Sequence, residues 1–359
     1  MIKVGVVGAG YWGPKHVRNF SEMPGARVAM VADLSEARLT TIRAQYPDVR
    51  TTTDFCELLQ DPSIDAVVVV TPVSTHARLA GEALRAGKHV LVEKPLAASS
   101  AECEELIRLA AERGLVLMVG HTFLYNPAVL MLRDLVMTGE LGEVYYAYAQ
   151  RLNLGLFQRD INVMWDLAPH DLSILMFVLG MDPCAIAARA RSHVRVGIED
   201  IAYMDVAFPN GAGAAVHVSW LDPNKVRRMT LVGSKKMVVF DDVEALEKIR
   251  LYDKGIDIPP RVDGFGEVQL SYRYGNISIP PVAGHEPLRL ECEHFLECIR
   301  TGARPRTDGM QGLKVVQALE MAGVSLAQGG VMIPLPALVE AGAPARGRTA
   351  EQLSMVAAY

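Results

Sequence analysis

Lys3-Val4-Gly5-Val6-Val7 runs directly into Gly8-Ala9-Gly10-Tyr11-Trp12-Gly13, and that junction decides the fold. An apolar strand ends in a G-x-G-x-x-G spacing that opens a helix. Gly8 permits a tight turn, Gly10 lets the backbone approach a pyrophosphate, and Gly13 allows close helix packing. The free N–H groups and dipole at the helix start favour phosphate, with Tyr11 and Trp12 inside the loop. Asp33 lies 20 residues beyond Gly13, at the end of the next strand, where a carboxylate accepts adenosine ribose hydroxyls. It would repel a 2′-phosphate. Leu34-Ser35-Glu36 contain no arginine to receive one, and Arg38 sits further along the following helix. NAD is expected rather than NADP.

Working outward, the first 120 or so residues alternate short apolar runs with amphipathic stretches. Strands are expected at Lys3–Gly8, Arg27–Ala32, Ala66–Val70, His89–Val92 and Val116–Val119. Helices are expected at Ser35–Gln45, Thr75–Ala86 and Ser99–Arg113, with Ser74 or Thr75 capping the second and Gly87 and Gly114 as stops. Strands apolar on both faces belong to a buried parallel sheet, so this part is a doubly wound α/β Rossmann domain. After His121 the pattern changes. Helices are expected from Pro127 to near Gly139 and at Leu167–Leu179. Strands are expected at Val144–Arg151, Ile186–Arg191, Tyr203–Phe208, Ala212–Trp220, Met229–Val232 and Met237–Phe240. Pro209-Asn210-Gly211 reads as a tight hairpin turn with positive φ angles at Asn-Gly. Asp253–Pro281 reads as an irregular excursion, followed by helices Pro287–Thr301 and Met310–Gln328. The expected organisation is a Rossmann domain over 1–122, then an α+β domain with a large, open, mostly antiparallel sheet over 123–340. A loosely held tail covers 341–359.

Half the residues are hydrophobic, 21% are charged and the net charge is −5. With no basic tail, nucleic acid is not an expected partner. The apolar runs are strand-length, far short of a membrane span, and no signal-peptide pattern opens the chain. A cytoplasmic protein is expected. Cys56, Cys103, Cys184, Cys292 and Cys298 are odd in number and lack C-x-x-C spacing, so neither a disulfide framework nor a metal site is expected. Ordinary buried or semi-buried thiols are.

Glu93-Lys94-Pro95 follows the fifth strand, at the carboxyl edge where a Rossmann sheet meets its ligand. Lys94 is expected to enter the cleft, with Pro95 stiffening the turn. Asp166 and His170 are four apart, hence on one face if helical. Oxidising an alcohol needs a proton acceptor on oxygen while hydride leaves carbon. A histidine suits the first task, and a neighbouring ammonium stabilises the developing alkoxide.

The glycine loop, Glu93-Lys94-Pro95, Thr71-Pro72-Val73-Ser74-Thr75-His76 and Trp165-Asp166-Leu167-Ala168-Pro169-His170-Asp171 together resemble the Gfo/Idh/MocA family (glucose–fructose oxidoreductase and inositol dehydrogenase), over nearly the whole chain. The resemblance implies His170 as general base, Lys94 on the same hydroxyl and Asp166 orienting the pair. It implies Thr71, Pro72, Thr75, His76, Glu93 and Lys94 as cofactor contacts beside Gly8, Gly10, Tyr11, Trp12, Gly13 and Asp33. It also implies a homodimer or homotetramer through the open sheet. Tyr125, Asn126, Arg151, Asn153 and Trp165 are candidates to line the substrate pocket with Lys94, Asp166 and His170. Trp220, Lys225 and Arg227 follow a strand and carry no assigned role. His121-Thr122-Phe123-Leu124-Tyr125-Asn126-Pro127 and Arg151-Leu152-Asn153-Leu154-Gly155 look similar to members acting at position 3 of amino sugars or nucleotide sugars. Oxidation at C3 of such a sugar is therefore the leading expectation. An inositol or polyol dehydrogenase, a 3-ketosugar reductase and a non-catalytic NAD-binding sensor remain alternatives.

Overall fold

The computed structural model describes residues 1–155, 157–158, 160–257 and 271–336. Strands β1 (Ile2–Val7), β2 (Ala26–Ala32), β3 (Arg50–Thr52), β4 (Ala66–Val69), β5 (His89–Glu93) and β6 (Leu117–Gly120) form a six-stranded sheet. Its order is β3-β2-β1-β4-β5-β6, and all pairs are parallel. Helices α1 (Gly13–Glu22), α2 (Glu36–Gln45), α3 (Phe55–Gln60), α4 (His76–Arg85) and α5 (Ser100–Arg113) make the crossovers. Every residue of β4 and β6 is buried, as strands covered on both faces require. The order reverses between β1 and β4, so the loops after these strands flank the crevice where such sheets bind ligands.

Beyond it come α6 (Pro127–Met137), β7 (Val144–Leu154) and α7 (Val163–Leu179). Then follow β8 (Ala185–Arg191), β9 (Ile201–Ala207), β10 (Gly213–Ser219), β11 (Leu221–Gly233), β12 (Met237–Asp241), β13 (Ile249–Asp257) and β14 (Ser271–Ser278). Helices α8 (Pro287–Thr301) and α9 (Gly309–Ala327) precede the short β15 (Ile333–Pro334). The nine-stranded sheet runs β14-β13-β12-β11-β7-β10-β9-β8-β15, antiparallel except for β7 beside β10. Burial alternates along β8 and β9 because helices cover only one face. The opposite face exposes Tyr146, Tyr148, Tyr203, Tyr272 and Tyr274.

The C-terminal helices return to the first sheet. Leu288, Cys292, Phe295 and Leu296 of α8 share a core with Val17 and Phe20 of α1. On α9, Leu313 and Val316 join the Rossmann core, while Val315, Ala318, Leu319 and Ala322 join the core under the second sheet. One helix thus holds both layers. The Thr307 carbonyl accepts the Val119 N–H at 2.7 Å, covering the open edge of β6.

Several local expectations are corrected. Within the expected irregular excursion Asp253–Pro281, β13 and β14 pair, with cross-strand partners such as Ile256 and Tyr272, while 258–270 lie outside the described residues. Neither Ser74 nor Thr75 caps α4 through its side chain, because the Thr75 hydroxyl donates to the Pro72 carbonyl at 2.7 Å. In the β9–β10 turn only Gly211 has positive φ; Asn210 instead accepts the Ala212 N–H through its side chain. Helix α7 starts four residues earlier than expected, at Val163, because Asn162 accepts the Trp165 N–H. All five cysteines are free thiols, but Cys56 and Cys184 are exposed rather than buried. The expected tail over 341–359 lies outside the described residues. Among the described residues no helix is long and apolar enough to cross a membrane.

Candidate active site

The glycine loop is shaped for a dinucleotide. Gly8 has φ +99°, and a Cβ there would lie 2.4 Å from the Val70 carbonyl oxygen. A Cβ on Gly13 would lie 2.1 Å from the Gly8 carbonyl oxygen, so α1 can begin this close to the turn only without a side chain. A Cβ on Gly10 would meet only the tip of Arg38, at 3.9 Å, leaving an open cradle beside the helix N-terminus. Asp33 ties the cradle down: its carboxylate accepts the Ala9 N–H at 2.6 Å and the Ser35 N–H at 2.7 Å. The Arg38 guanidinium stands 3.5 Å from Asp33. These groups fit a dinucleotide, with Gly8–Gly13 for its pyrophosphate and Asp33 for its adenosine ribose. Tyr11 and Trp12 are exposed, and the Lys15 ammonium sits over both rings, 3.6 and 4.0 Å from their centroids. Lys15, then Lys225 and Arg227 more weakly, pull the Tyr11 hydroxyl below its usual range.

The loop after β4 faces the same crevice. Thr71 and Thr75 share a hydroxyl–hydroxyl bond of 2.7 Å beside exposed Pro72. His76 is buried beneath, with both ring nitrogens 2.8 Å from the carbonyls of Thr71 and Pro95. It braces the β4 loop against the cis Lys94–Pro95 turn, leaving no polar atom for a ligand. Glu93 is also inward. Burial alone would raise its pKa, but the His16 hydrogen bond of 2.9 Å and the charges of His16 and Lys94 hold it below the usual carboxylate value.

Lys94 reaches across from β5 to α7. Its Nζ donates to the Asp166 carbonyl at 2.6 Å and to Asp166 Oδ1 at 3.2 Å. Asp166 Oδ2 accepts the Trp220 indole N–H at 3.0 Å, so one carboxylate joins three elements. One turn on, the His170 ring stands edge-on to Phe123, centroids 5.1 Å apart. Burial, then the charges of Lys94, Arg151 and Arg227, push its basicity well below 6.5. The imidazole is therefore neutral at pH 7, the form that accepts a proton.

The remaining expected pocket residues divide sharply. Asn153 and Trp165 are half-buried. Arg151 is 3% exposed, and its Nε and Nη2 each lie 2.9 Å from a carboxylate oxygen of Asp171. The Tyr125 hydroxyl is buried against Thr307 at 3.2 Å. Asn126 caps α6 by accepting the Ala128 N–H at 2.9 Å and donates to Asp242 at 3.2 Å. Tyr125 and Asn126 direct their side-chain polar atoms to the scaffold, and Arg151 directs Nε and Nη2 there. Sequence reasoning missed Phe123 and the Trp220–Asp166 bond. The latter spans 54 residues, and no spacing rule announces it.

A Rossmann crevice facing a lysine–aspartate–histidine group defines a dinucleotide-binding oxidoreductase. Residues 2–121 match the oxidoreductase family with an NAD-binding Rossmann fold, and residues 129–239 match the GFO/IDH/MocA C-terminal domain. The chain belongs to the GFO/IDH/MocA oxidoreductase family. It is 28% identical to a UDP-N-acetylglucosamine 3-dehydrogenase of Acidithiobacillus ferrooxidans, over 88% of this chain and 95% of that one. It is 26% identical to a scyllo-inositol 2-dehydrogenase (NAD(+)) of Bacillus subtilis, over 85% of this chain and 88% of that one. A solved structure of the Acidithiobacillus enzyme superposes with a TM-score of 0.75, covering 91% of this chain and 98% of that one.

Proposed function

We propose that this oxidoreductase oxidises a secondary hydroxyl, at C3, of a sugar, amino sugar or nucleotide sugar. The observation that carries the reading is Lys94 bonded to Asp166 with His170 one helical turn away, all at the carboxyl edge of the six-stranded sheet. The nicotinamide of NAD, when bound, supplies the hydride acceptor. His170 takes the hydroxyl proton. Lys94 donates to the same oxygen and stabilises its developing negative charge, while Asp166, fixed by Trp220, holds Lys94 in place. Asn153 and Trp165 line the sugar pocket. Gly8, Gly10, Tyr11, Trp12, Gly13, Asp33, Thr71, Pro72 and Thr75 surround the dinucleotide. The resemblance to an enzyme named for oxidation at position 3 of UDP-N-acetylglucosamine supports the substrate class.

NAD is the preferred dinucleotide, because the Asp33 carboxylate repels a 2′-phosphate. The tyrosine-bearing open face of the nine-stranded sheet makes a second copy of the chain its natural cover, as a homodimer or homotetramer. NADH formation by the purified protein, with UDP-sugars, amino sugars and inositols as candidate substrates, tests the reaction. Turnover on a C3-hydroxyl sugar is expected. Turnover on inositols alone would move the reading to a polyol dehydrogenase. Dinucleotide binding with no transfer in either direction, 3-keto sugars included, would mark a sensor.

A further inference from the structure

The segment Leu221-Asp222-Pro223-Asn224-Lys225-Val226-Arg227-Arg228 carries two arginines with opposite fates. Arg228 places Nε and Nη2 on Asp241 Oδ2, at 3.0 and 2.7 Å. Arg227 has a single long contact, Nη1 to Asp242 Oδ2 at 3.4 Å, and its buried Nε has no partner. Asp242 is shared with Asn126 and lies 3.9 Å from Lys248, so it does not belong to Arg227 alone.

Position makes this shortage meaningful. Arg227 pairs directly across the β11–β7 ladder with Arg151, which places both on one sheet face. Like charges in that register repel unless each finds an anion. Arg151 has Asp171; Arg227 has no comparable partner. Both guanidinium groups flank the Phe123 ring, at 4.5 and 5.9 Å from its centroid, and the other neighbour of that ring is His170. Between Leu221 and Val226 the ladder shifts register, and the strand bulges out with Lys225 exposed. Lys225 and Lys15 have no carboxylate within 4 Å among the described residues. Lys15 covers Tyr11 at the mouth of the glycine loop, and the charges of Lys225 and Arg227 are felt at that tyrosine.

The geometry points to an anion subsite: Arg227, with Lys225 on the adjoining bulge, receives a phosphate carried by the substrate, beyond the hydroxyl at His170. A carboxylate would be satisfied by one guanidinium. A second cation beside a forked donor suits the higher charge and three oxygens of a phosphate ester, as in a sugar phosphate or nucleoside diphosphate sugar. This rests on the proposed sugar oxidation and narrows its substrate class to phosphorylated sugars.

Calorimetric titration of the NADH-saturated protein at low salt tests the subsite without turnover and keeps the dinucleotide's own phosphates out of the comparison. The probes are UDP and glucose 1-phosphate, with uridine and glucose as neutral counterparts. At least one phosphorylated probe is expected to bind about tenfold or more tighter than its counterpart. Arg227→Gln should remove that advantage, Arg227→Lys should restore part of it, and Lys225→Gln should weaken it less. Unchanged NADH affinity in each variant certifies the fold. Tightening with UDP alone identifies a nucleotide form; tightening with both shows that phosphate suffices. Equal binding of charged and neutral probes, or wild-type UDP affinity in Arg227→Gln, would overturn the subsite. Inositol turnover without UDP binding removes the subsite and leaves a dehydrogenase. UDP binding without sugar oxidation keeps the subsite and removes the proposed reaction.

Discussion

The two sheets build their halves of the cleft from different materials. The six-stranded sheet presents backbone: glycines without Cβ atoms, free helix N–H groups, and a carboxylate, Asp33, that steadies the loop. The nine-stranded sheet and α7 present side chains: Asp166, His170, Trp220 and Arg227, drawn from positions up to 61 residues apart. Backbone geometry is local and tolerates few substitutions. A side-chain constellation depends on several elements arriving together, and each member can be altered separately.

The largest expected effect separates these roles. Lys94→Ala and His170→Ala should each lower kcat/KM for the sugar by about 10²- to 10⁴-fold while leaving NADH affinity within a few-fold of wild type. A parallel collapse of NADH binding, read by fluorescence titration, would mean that the two halves are not separable. Arg151→Ala attacks the scaffold beneath the side-chain half. It strands Asp171 as an unpaired buried charge, so a loss of about 3–5 kcal/mol in denaturant unfolding is expected. A loss below about 1 kcal/mol would return Arg151 to the list of ligand contacts.

Gly13→Ala attacks the backbone half. Its Cβ would crowd the Gly8 carbonyl, and a drop of about tenfold in NADH affinity is expected, about 1.4 kcal/mol. Wild-type affinity would show that the loop relaxes at little cost. The last effect emerges only in acid. His121 is buried between the halves, neither ring nitrogen has a partner, and burial, followed by the Lys94 charge, lowers its pKa to about 3. Unfolded histidine titrates near 6.5, so below that pH the unfolded chain binds a proton that the folded chain refuses. Stability should therefore fall as pH drops from 6.5 towards 3, by about 1.4 kcal/mol per unit from this residue at most. His121→Phe keeps a ring and removes the titration, so its melting temperature should fall less between pH 7 and 5. Identical pH slopes in the two proteins would show that His121 is not protected.

Legibility followed the same division. The parallel strands were readable because burial on both faces demands uninterrupted apolar runs. The glycine loop was readable because each glycine answers a local steric need. Lys94, Asp166 and His170 were readable as candidates because strand ends and helical spacing limit where a side chain can point. Tyr125, Asn126 and Arg151 showed the limit of that reasoning. Polar residues near a cleft look alike in sequence whether they face a ligand or, like Arg151 with Asp171, face each other. Strands β13 and β14 were missed because Gly, Pro and polar residues at a sheet's margin imitate a loop when their pairing partners are unknown.

By itself the sequence determined the doubly wound half, the glycine loop and the candidates Lys94, Asp166 and His170, since these rest on short-range sterics and periodicity. Only the tertiary structure decided that α9 joins both cores, that Trp220 fixes Asp166, and that Arg227 faces Arg151 without a full counter-charge. Each depends on which distant segments share a face, and that is set by the packing of the whole chain.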